Sequence, residues 1–220
     1  MKISVIIPAL NEEAGIISSL QSVTNQPGDI EVIVVDGGST DRTRQVAQPY
    51  ARVIQSEQGR GAQMNVGAQE SRGEVLLFLH ADSQLPPDAL PQLKRVLGDP
   101  QTIGGTFMLR FDSPKFLLRL IAFFTRFRFR YFHYGDQGIF VRRAVFEQMG
   151  GFKRIPLMED LDFFQRLHKV GRVVLLKQPV TTSARRFLKN GILQQQLLNV
   201  FLVFLYLLGV KSETLLKWYR

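Results

Sequence analysis

Polar residues follow three short apolar runs near the start of the chain, where a purely structural strand would not need them. Asn11 follows the first run, Asp36 ends the second, and His80 and Asp82 end the fourth. If these runs are parallel strands, their carboxyl ends lie at one edge of a sheet, where ligands of α/β proteins bind. Two of the residues have a simpler interpretation, Asn11 as a helix cap and Asp36 as part of a Gly-Gly turn.

The residue types at this edge suit a nucleotide diphosphate. The carboxylate of Asp82 is a ligand for a hard divalent cation, with His80 as a second ligand or a ribose contact. Such a cation neutralises the charge that develops when a diphosphate departs from a sugar. Asp36 offers oxygens to a base or ribose. In the Gly-Arg-Gly segment 59–61, the glycines let the backbone approach a phosphate while Arg60 supplies charge.

A further acidic cluster opens a predicted helix in the second half of the chain. Glu159, Asp160 and Asp162 precede Phe163 and Phe164. Acidic residues are favoured in the first turn of a helix by its dipole, which is a structural interpretation. Carboxylates beside an apolar face also suit a partly desolvated base that takes the proton from an attacking hydroxyl. Both interpretations stay open at the level of the residues.

The pattern of apolar runs and helical faces predicts an α/β fold, with a mostly parallel sheet flanked by helices. Ser39 or Thr40 is the predicted cap of a helix beginning near Asp41. Pro86-Pro87-Asp88 predicts another helix start, with inward-facing leucines at 90, 93 and 97. The predicted strands are 3–8, 31–36, 52–55, 74–80, 103–111 and 137–141, with a short apolar run at 172–176. The predicted helices include one between the first two strands, 115–125, 159–170 and an apolar one at 191–210.

Composition narrows the class of protein. A chain of 220 residues can form one good core. The absence of cysteine excludes disulfides, thiolate metal sites and a cysteine nucleophile. A net charge of +9 favours anionic partners such as nucleotide phosphates or a membrane surface. The N-terminal apolar run ends at Pro8 and is too short for a signal peptide, so we expect the protein in the cytoplasm.

Five motifs, in this order, resemble those of the family 2 inverting glycosyltransferases. They cover about residues 3–170, and a later segment extends the likeness nearly to the C-terminus. The segments 79–82 (LHAD) and 182–187 (TSARRF) are especially similar to a small bacterial subgroup of radical-SAM/selenodomain-associated transferases. The five family motifs are VIIPALNE at 5–12, VVDGGSTD at 34–41, GRGAQMN at 59–65, FLHAD at 78–82 and MEDLD at 158–162.

The resemblance implies a nucleotide-diphospho-sugar-transferase fold of the GT-A type and the transfer of a sugar, most readily from a UDP-linked donor. Asp82 matches the metal-binding carboxylate of the family's Asp-x-Asp motif. His80 replaces the first acidic residue, so the two are the implied ligands for Mg²⁺ or Mn²⁺. Asp160 matches the catalytic base. The residues that these motifs and the late arginines place at the nucleotide sugar are Pro8, Asn11, Glu12, Asp36, Gly59, Arg60, Gln63, His80, Ala81, Asp82, Arg185 and Arg186.

The same likeness divides the chain into a transferase domain at 1–187 and a helical extension at 188–220. Residues 1–100 bind the donor in this scheme, and residues 101–187 shape the acceptor site. The Gln-x-x-Arg-Trp signature of processive polysaccharide synthases does not occur. Arg185 and Arg186 stand in a comparable late position, so we expect few-step transfer rather than polymerisation.

Two basic or apolar stretches predict contact with a membrane surface. Arg126, Arg128 and Arg130 alternate with phenylalanines, and the apolar run 197–210 would span about 21 Å, short of a hydrocarbon core of about 30 Å. We expect peripheral contact with the inner membrane and a lipid or lipid-linked acceptor. Packing within the core or in a homodimer is the alternative for the apolar run.

Other functions fit the sequence less well. A sugar nucleotidylyltransferase needs a glycine-rich N-terminal loop, and segment 8–12 (PALNE) has no glycine. A catalytically degenerate nucleotide-sugar-binding module at the membrane is the non-enzymatic alternative, because His80 departs from the metal motif. No nucleic-acid-binding module is recognisable, and nucleic acid is therefore not an expected partner.

Overall fold

The computed structural model describes residues 1–126 and 135–219. In this part of the chain, strands and helices alternate through the first half, and helices dominate the end. The strands are β1 (Ile3–Ala9), β2 (Ile30–Asp36), β3 (Arg52–Gln55), β4 (Val75–Phe78), β5 (Ser83–Gln84), β6 (Thr102–Phe111), β7 (Ile139–Arg142) and β8 (Arg172–Thr182). The helices are α1 (Ile16–Thr24), α2 (Thr43–Ala47), α3 (Arg60–Glu70), α4 (Ala89–Val96), α5 (Phe116–Phe124), α6 (Arg143–Gln148), α7 (Glu159–Val170), α8 (Arg185–Asn190), α9 (Ile192–Leu207) and α10 (Ser212–Tyr219), with a 3-10 turn at Gly135–Gln137.

The strands form one sheet in the order β3-β2-β1-β4-β7-β6-β8-β5. From β3 to β4 all pairs are parallel, as predicted. The sheet then becomes mixed, because β7 pairs antiparallel with both β4 and β6, while β6 and β8 are parallel. The predicted helix-flanked α/β fold is therefore confirmed, and both halves of the chain share its sheet.

The core lies on both faces of this sheet because the strands are apolar on both sides. In β1, Val5 and Ile7 face one cluster, which α1 and α4 complete, while Ile6 faces the other, which α3 and α7 complete. All three side chains are fully buried. This is the pattern expected of parallel strands covered by helices on each face, and it leaves the strand ends as the accessible edge.

The helix starts agree with the sequence at α4 but not at α2. The leucines at 90, 93 and 97 are buried, as predicted. The predicted cap at Ser39 or Thr40 is wrong, because α2 begins at Thr43 and the Thr43 N–H is accepted by the Asp41 carboxylate (2.9 Å). Ser39 Oγ instead accepts a hydrogen bond from the Asn11 N–H (2.9 Å).

The C-terminal helices pack beside the start of α7. Leu202 of α9 and Leu215 of α10 are buried against Leu157, while much of the outer surface of α9 is apolar and exposed. None of the helices in the described ranges is long and apolar enough to cross a membrane. Of the predicted basic and aromatic stretch, Arg126 is described, and Arg128 and Arg130 lie outside the described residues.

Candidate active site

Hydrogen bonds join the carboxyl ends of β1 and β2, as the sequence predicted for adjacent strand ends. The Asn11 N–H donates a hydrogen bond to Ser39 Oγ, and Asn11 Oδ1 accepts one from the Thr40 N–H (2.9 Å). Asn11 has a φ of 55°, a left-handed conformation that asparagine tolerates better than most residues. It joins two loops and does not cap α1, which begins after Gly15 without a side-chain cap.

Several predicted donor-site residues support these strand ends from within. The fully buried Asp36 carboxylate accepts the N–H groups of Gly38 and Ser39 (3.1 Å each), which is turn chemistry. The Gln63 amide donates to the carbonyls of Ala9 (2.9 Å) and Val35 (2.7 Å) and so bridges β1 and β2. Pro8 and Ala81 are buried. These side chains shape the edge of the sheet more than they offer polar atoms to it.

The segment 59–61 approaches the second half of the chain. Gly59 has a φ of 140°, which favours glycine, directly before α3. A Cβ at Gly61 would lie 2.5 Å from the Lys153 carbonyl oxygen, so the small residue is needed for a backbone contact. Arg60 forms an ion pair with Glu159 (Nε to Oε1, 2.9 Å). Arg60 thus links the first half of the chain to the acidic cluster at the start of α7.

His80 lies between two carboxylates. Its Nδ1 is 2.8 Å from Asp136 Oδ1, and its Nε2 is 3.7 Å from Asp160 Oδ2. Although burial lowers the pKa of His80, its hydrogen bond to Asp136 and the nearby Asp160 carboxylate raise this pKa to about 10. In this arrangement the two ring nitrogens of His80 lie beside the carboxylates of Asp136 and Asp160.

Asp82 lies on the other side of this cluster, near Glu12 and Asp136. Burial and the charge of Asp136 raise the pKa of Asp82. Burial, together with the charges of Asp82 and Asp41, raises the pKa of Glu12, against the effect of Arg185, whose Nη2 is 3.0 Å from Glu12 Oε2. The crevice beyond the strand ends thus collects negative charge, which is the condition for attracting a cation.

The metal prediction fits this crevice only in a restricted form. Within residues 1–126 and 135–219, no group of three His, Cys, Asp or Glu side chains is arranged to hold a metal ion alone. The Asp82 carboxylate accepts a long hydrogen bond from Ser83 Oγ (3.5 Å) and has no ion-pair partner among the described residues. Mg²⁺ commonly uses one or two carboxylates, substrate phosphates and water. Asp82 therefore fits a cation that arrives with a diphosphate, while His80, whose ring nitrogens lie beside Asp136 and Asp160, stays a predicted ligand.

The three acidic residues at the start of α7 have different environments. Glu159 is 1% exposed and paired with Arg60, and burial raises its pKa. Asp162 is held by Lys153 Nζ (2.6 Å) and Arg166 Nε (2.7 Å). Asp160 is 8% exposed, and its Oδ1 accepts no hydrogen bond from the described part of the chain. Both Glu159 and Asp160 have carboxylate oxygens without a hydrogen-bond partner in the described ranges, but only Asp160 of the three is not paired there with an arginine or a lysine.

Asp160 lines a cavity of about 630 Å³, which also contacts Arg60, Asp136 and Glu159. Most of the other lining residues in the described ranges are aliphatic or aromatic and come from α5, α9 and the segment before α7. Polar groups concentrated beside an apolar cavity of this size are typical of small-molecule sites.

The sequence did not reveal two members of this site. Asp136, the partner of His80, sits in a Gly-Asp-Gln segment that is typical of a turn. Tyr219 lines the cavity, and its ring lies 3.6 Å below the guanidinium carbon of Arg186, whose Nη2 donates to the Tyr219 carbonyl (2.8 Å). Arg186, predicted at the diphosphate, therefore contacts α10, whereas Arg185 reaches Glu12 at the crevice.

The protein thus combines a helix-flanked α/β sheet with an acidic crevice at its strand ends and a buried carboxylate beside a cavity. The comparison with known proteins gives the family. Residues 4–157 match the family described as Glycosyl transferase family 2, and the chain belongs to that family. The resemblance to the radical-SAM-associated subgroup stays a prediction.

Relatives in this family come from several bacteria. The "PGL/p-HBAD biosynthesis glycosyltransferase" of Mycobacterium bovis is 33% identical over 179 residues, which are 73% of this chain and 67% of the relative. The "Putative glycosyltransferase EpsH" of Bacillus subtilis is 35% identical over 105 residues, which are 44% of this chain and 30% of the relative.

Solved structures share the fold. The chain resembles S. aureus TarS 1-349 in complex with UDP with a TM-score of 0.71 and 22% identity, covering 83% of this chain and 60% of that one. It resembles the mannosyltransferase PcManGT of Pyrobaculum calidifontis, in complex with GDP-Man and Mn²⁺, with a TM-score of 0.64 and 22% identity, covering 82% and 56%. The chain thus spans less than two thirds of the length of either structure.

Proposed function

We propose that this protein is an inverting glycosyltransferase that moves a sugar from a nucleotide-diphosphate sugar to an acceptor hydroxyl. The observation that carries the proposal is the position of Asp160. Its carboxylate is buried at the cavity, and its Oδ1 accepts no hydrogen bond from the described residues. His80 and Asp136 connect this cavity to the crevice at the strand ends. A general base needs an available acceptor atom within reach of the hydroxyl proton.

The donor is proposed to bind in the crevice formed by the first half of the chain. The loops after β1 and β2 supply the nucleoside site, and Arg185 supplies charge for the diphosphate. The side chain of Arg185 is 59% exposed, and it is held by Glu12 rather than by the core, so it can exchange that partner for a phosphate. The relative solved with UDP supports a uridine donor, while the one solved with GDP-Man keeps guanosine as the alternative.

Asp82 is proposed to hold a Mg²⁺ or Mn²⁺ ion together with the donor phosphates. The ion would stabilise the charge of the departing nucleoside diphosphate. The PcManGT structure with Mn²⁺ supports this proposal by analogy. UDP should bind more tightly with Mn²⁺ than with EDTA, and Asp82→Asn should remove the difference. Equal metal dependence in Asp82→Asn and wild type would exclude Asp82 as the ligand.

The proposed reaction is a single displacement. The acceptor oxygen forms a bond to the anomeric carbon, while the bond from that carbon to the diphosphate oxygen breaks and its electron pair leaves with the nucleoside diphosphate. The acceptor proton passes to the Asp160 carboxylate. Because the oxygen attacks opposite to the departing group, the configuration at the anomeric carbon is inverted, and no protein nucleophile is required.

Asp160→Asn tests the role of the base while keeping the shape of the side chain. We expect transfer to fall about 10²–10⁴-fold, the usual range for loss of a general base, with UDP affinity within threefold of wild type. Asp162→Asn is the matched control and should retain transfer per folded molecule. Near-normal transfer by Asp160→Asn would refute the assignment of Asp160 as the general base. If wild type binds UDP but transfers no sugar, the degenerate binding module is the better assignment.

We also propose that the exposed apolar side chains of α5 and α9 meet an anionic membrane surface. Lys115, Arg119 and Arg126 are exposed on or beside α5. Each basic residue near such a surface contributes about 1 kcal/mol. Binding to vesicles in co-sedimentation should rise with phosphatidylglycerol content and fall as salt screens the charges. Indifference to lipid charge, together with a dimer that buries α9, would instead show subunit packing.

A further inference from the structure

The cavity beside Asp160 has apolar walls that continue onto the protein surface. Leu120 of α5 and Leu193 of α9 line the cavity and are 41% and 61% exposed. Other apolar side chains of the same two helices are exposed beyond the cavity, including Phe116 at 73% and Leu197 at 70%. A contiguous apolar surface that leads from solvent to a buried carboxylate is unfavourable in water unless an apolar ligand or surface covers it.

The polar residues of the cavity exclude some acceptors. Asp136, Glu159 and Asp160 all line it, and Arg60 is already paired with Glu159. His80 lies between Asp136 and Asp160. Arg60 and His80 therefore already have carboxylate partners, and Arg186 lies on the ring of the lining residue Tyr219 and donates to its carbonyl, so a phosphate acceptor would have to displace one of these contacts to find a cation. An uncharged hydroxyl, by contrast, can donate its hydrogen to the unoccupied Oδ1 of Asp160.

From these two observations we infer that the acceptor is an uncharged, hydroxyl-bearing lipid whose hydrocarbon part occupies the cavity between α5 and α9. The hydroxyl lies at Asp160, and the chain leaves between Leu120 and Leu193 towards the membrane. This inference rests on the proposed function and specifies its acceptor: a neutral lipid alcohol or glycolipid headgroup, rather than a lipid phosphate or a free polar sugar.

A series of n-alkyl glucosides with 6, 8 and 10 carbons tests the apolar part of the site. Each is uncharged, carries hydroxyls and can be used below its micellar concentration. Titration calorimetry with wild type should show the dissociation constant falling about fourfold per added methylene, as expected for transfer of a methylene from water into an apolar cavity. Decyl phosphate, the charged counterpart, should bind at least tenfold more weakly than decyl glucoside.

Matched variants distinguish the cavity from the surface around it. Leu120→Asp and Leu193→Asp place a charge on the cavity wall, and Phe116→Asp and Leu197→Asp place one on the same helices outside the lining. The two lining variants should lose at least tenfold in affinity for decyl glucoside, while the two outer variants stay within twofold of wild type. All four should bind UDP like wild type, which shows that the fold and the donor site are intact.

Other outcomes overturn the inference. An affinity that does not depend on chain length, or a preference for decyl phosphate, would exclude a neutral lipid in the cavity. Equal losses in all four variants would indicate adsorption to the outer surface. A dimer that Leu197→Asp dissociates, with no alkyl glucoside binding to the monomer, would assign the apolar face to a second copy of the chain. If wild type bound neither UDP nor GDP, the proposed function itself would instead be refuted, whatever the alkyl glucosides do.

Discussion

Replacing Asp162 should destabilise the fold while leaving catalysis intact, although Asp160, two residues earlier, is the proposed base. The Asp162 side chain is 8% exposed and accepts from Arg166 Nε (2.7 Å) and Lys153 Nζ (2.6 Å). The Arg166 side chain is 26% exposed and the Lys153 side chain 57%, so the first contact is partly shielded from solvent and the second is not. Asp162→Asn removes the charge from both contacts.

The structure sets the size of the effect. A hydrogen bond to a charged group contributes about 1.5–3 kcal/mol, and an exposed ion pair about 0–1 kcal/mol. Arg166 keeps its bonds to the carbonyls of Met149 (3.0 Å) and Gly151 (2.7 Å), so its guanidinium is not left unpaired. We therefore expect Asp162→Asn to lower the free energy of unfolding by about 2–4 kcal/mol.

Urea denaturation followed by circular dichroism measures this change, and sugar transfer is measured in parallel below the transition. Lys153→Met is the control and should lower the free energy of unfolding by less than about 1 kcal/mol, because the Lys153 side chain is mostly in solvent. The reasoning is refuted if Asp162→Asn unfolds within 0.5 kcal/mol of wild type. It is also refuted if the stable fraction of Asp162→Asn loses transfer to the extent expected for Asp160→Asn.

Three other predictions concern separate parts of the molecule. The pKa of His80 is raised to about 10, so its stabilising effect is complete below about pH 6.5 and is lost as the pH rises towards 10. Between pH 7 and 9 in EDTA, the unfolding free energy of wild type should therefore fall by about 1–2.5 kcal/mol more than that of His80→Asn. An equal fall in the two proteins would contradict the raised pKa of His80. Gly67→Ala should lower the free energy of unfolding, measured by urea denaturation, by about 1–3 kcal/mol, because the added Cβ would lie 2.4 Å from Ile6 Cγ2. An unchanged denaturation midpoint would show that the core relaxes around the new methyl group. Arg185→Ala should weaken UDP binding about tenfold to a hundredfold in calorimetry. Arg186→Ala should mainly lower the free energy of unfolding, because Arg186 packs on Tyr219. Equal UDP affinities in wild type and Arg185→Ala would place Arg185 outside the donor site.

The sequence predicted most strands because runs of buried apolar residues are a local signal. It underestimated β8, predicted only at 172–176, because Lys177, Gln178 and Pro179 interrupt the apolar pattern. The structure accommodates the interruption by an irregularity in pairing, between Leu176 opposite Phe107 and Pro179 opposite Met108. A proline cannot donate to a ladder, but it fits at such a point, so the strand continues to Thr182.

Side-chain partners were less predictable than elements because they depend on contacts between distant parts of the chain. The sequence grouped Glu159, Asp160 and Asp162, but only the fold shows that Arg60 pairs with the first and Arg166 with the third. His80 was identified as a site residue from its position at a strand end. Its partner Asp136 lies in a segment with no periodic pattern, and the pairing cannot be read from spacing alone.

The place of β7 in the sheet has a mechanical consequence. Because β7 is hydrogen-bonded to β4 on one side and to β6 on the other, the first and second halves of the chain share one continuous sheet. Rotating one half against the other would break a backbone ladder in the middle of the molecule. Adjustment to an incoming substrate is therefore confined to parts outside that ladder. The elements best placed to move are α9 and α10, which are held mainly by side-chain packing around Leu157. Amide hydrogen exchange should therefore be faster in these two helices than in β1, β4 and β7.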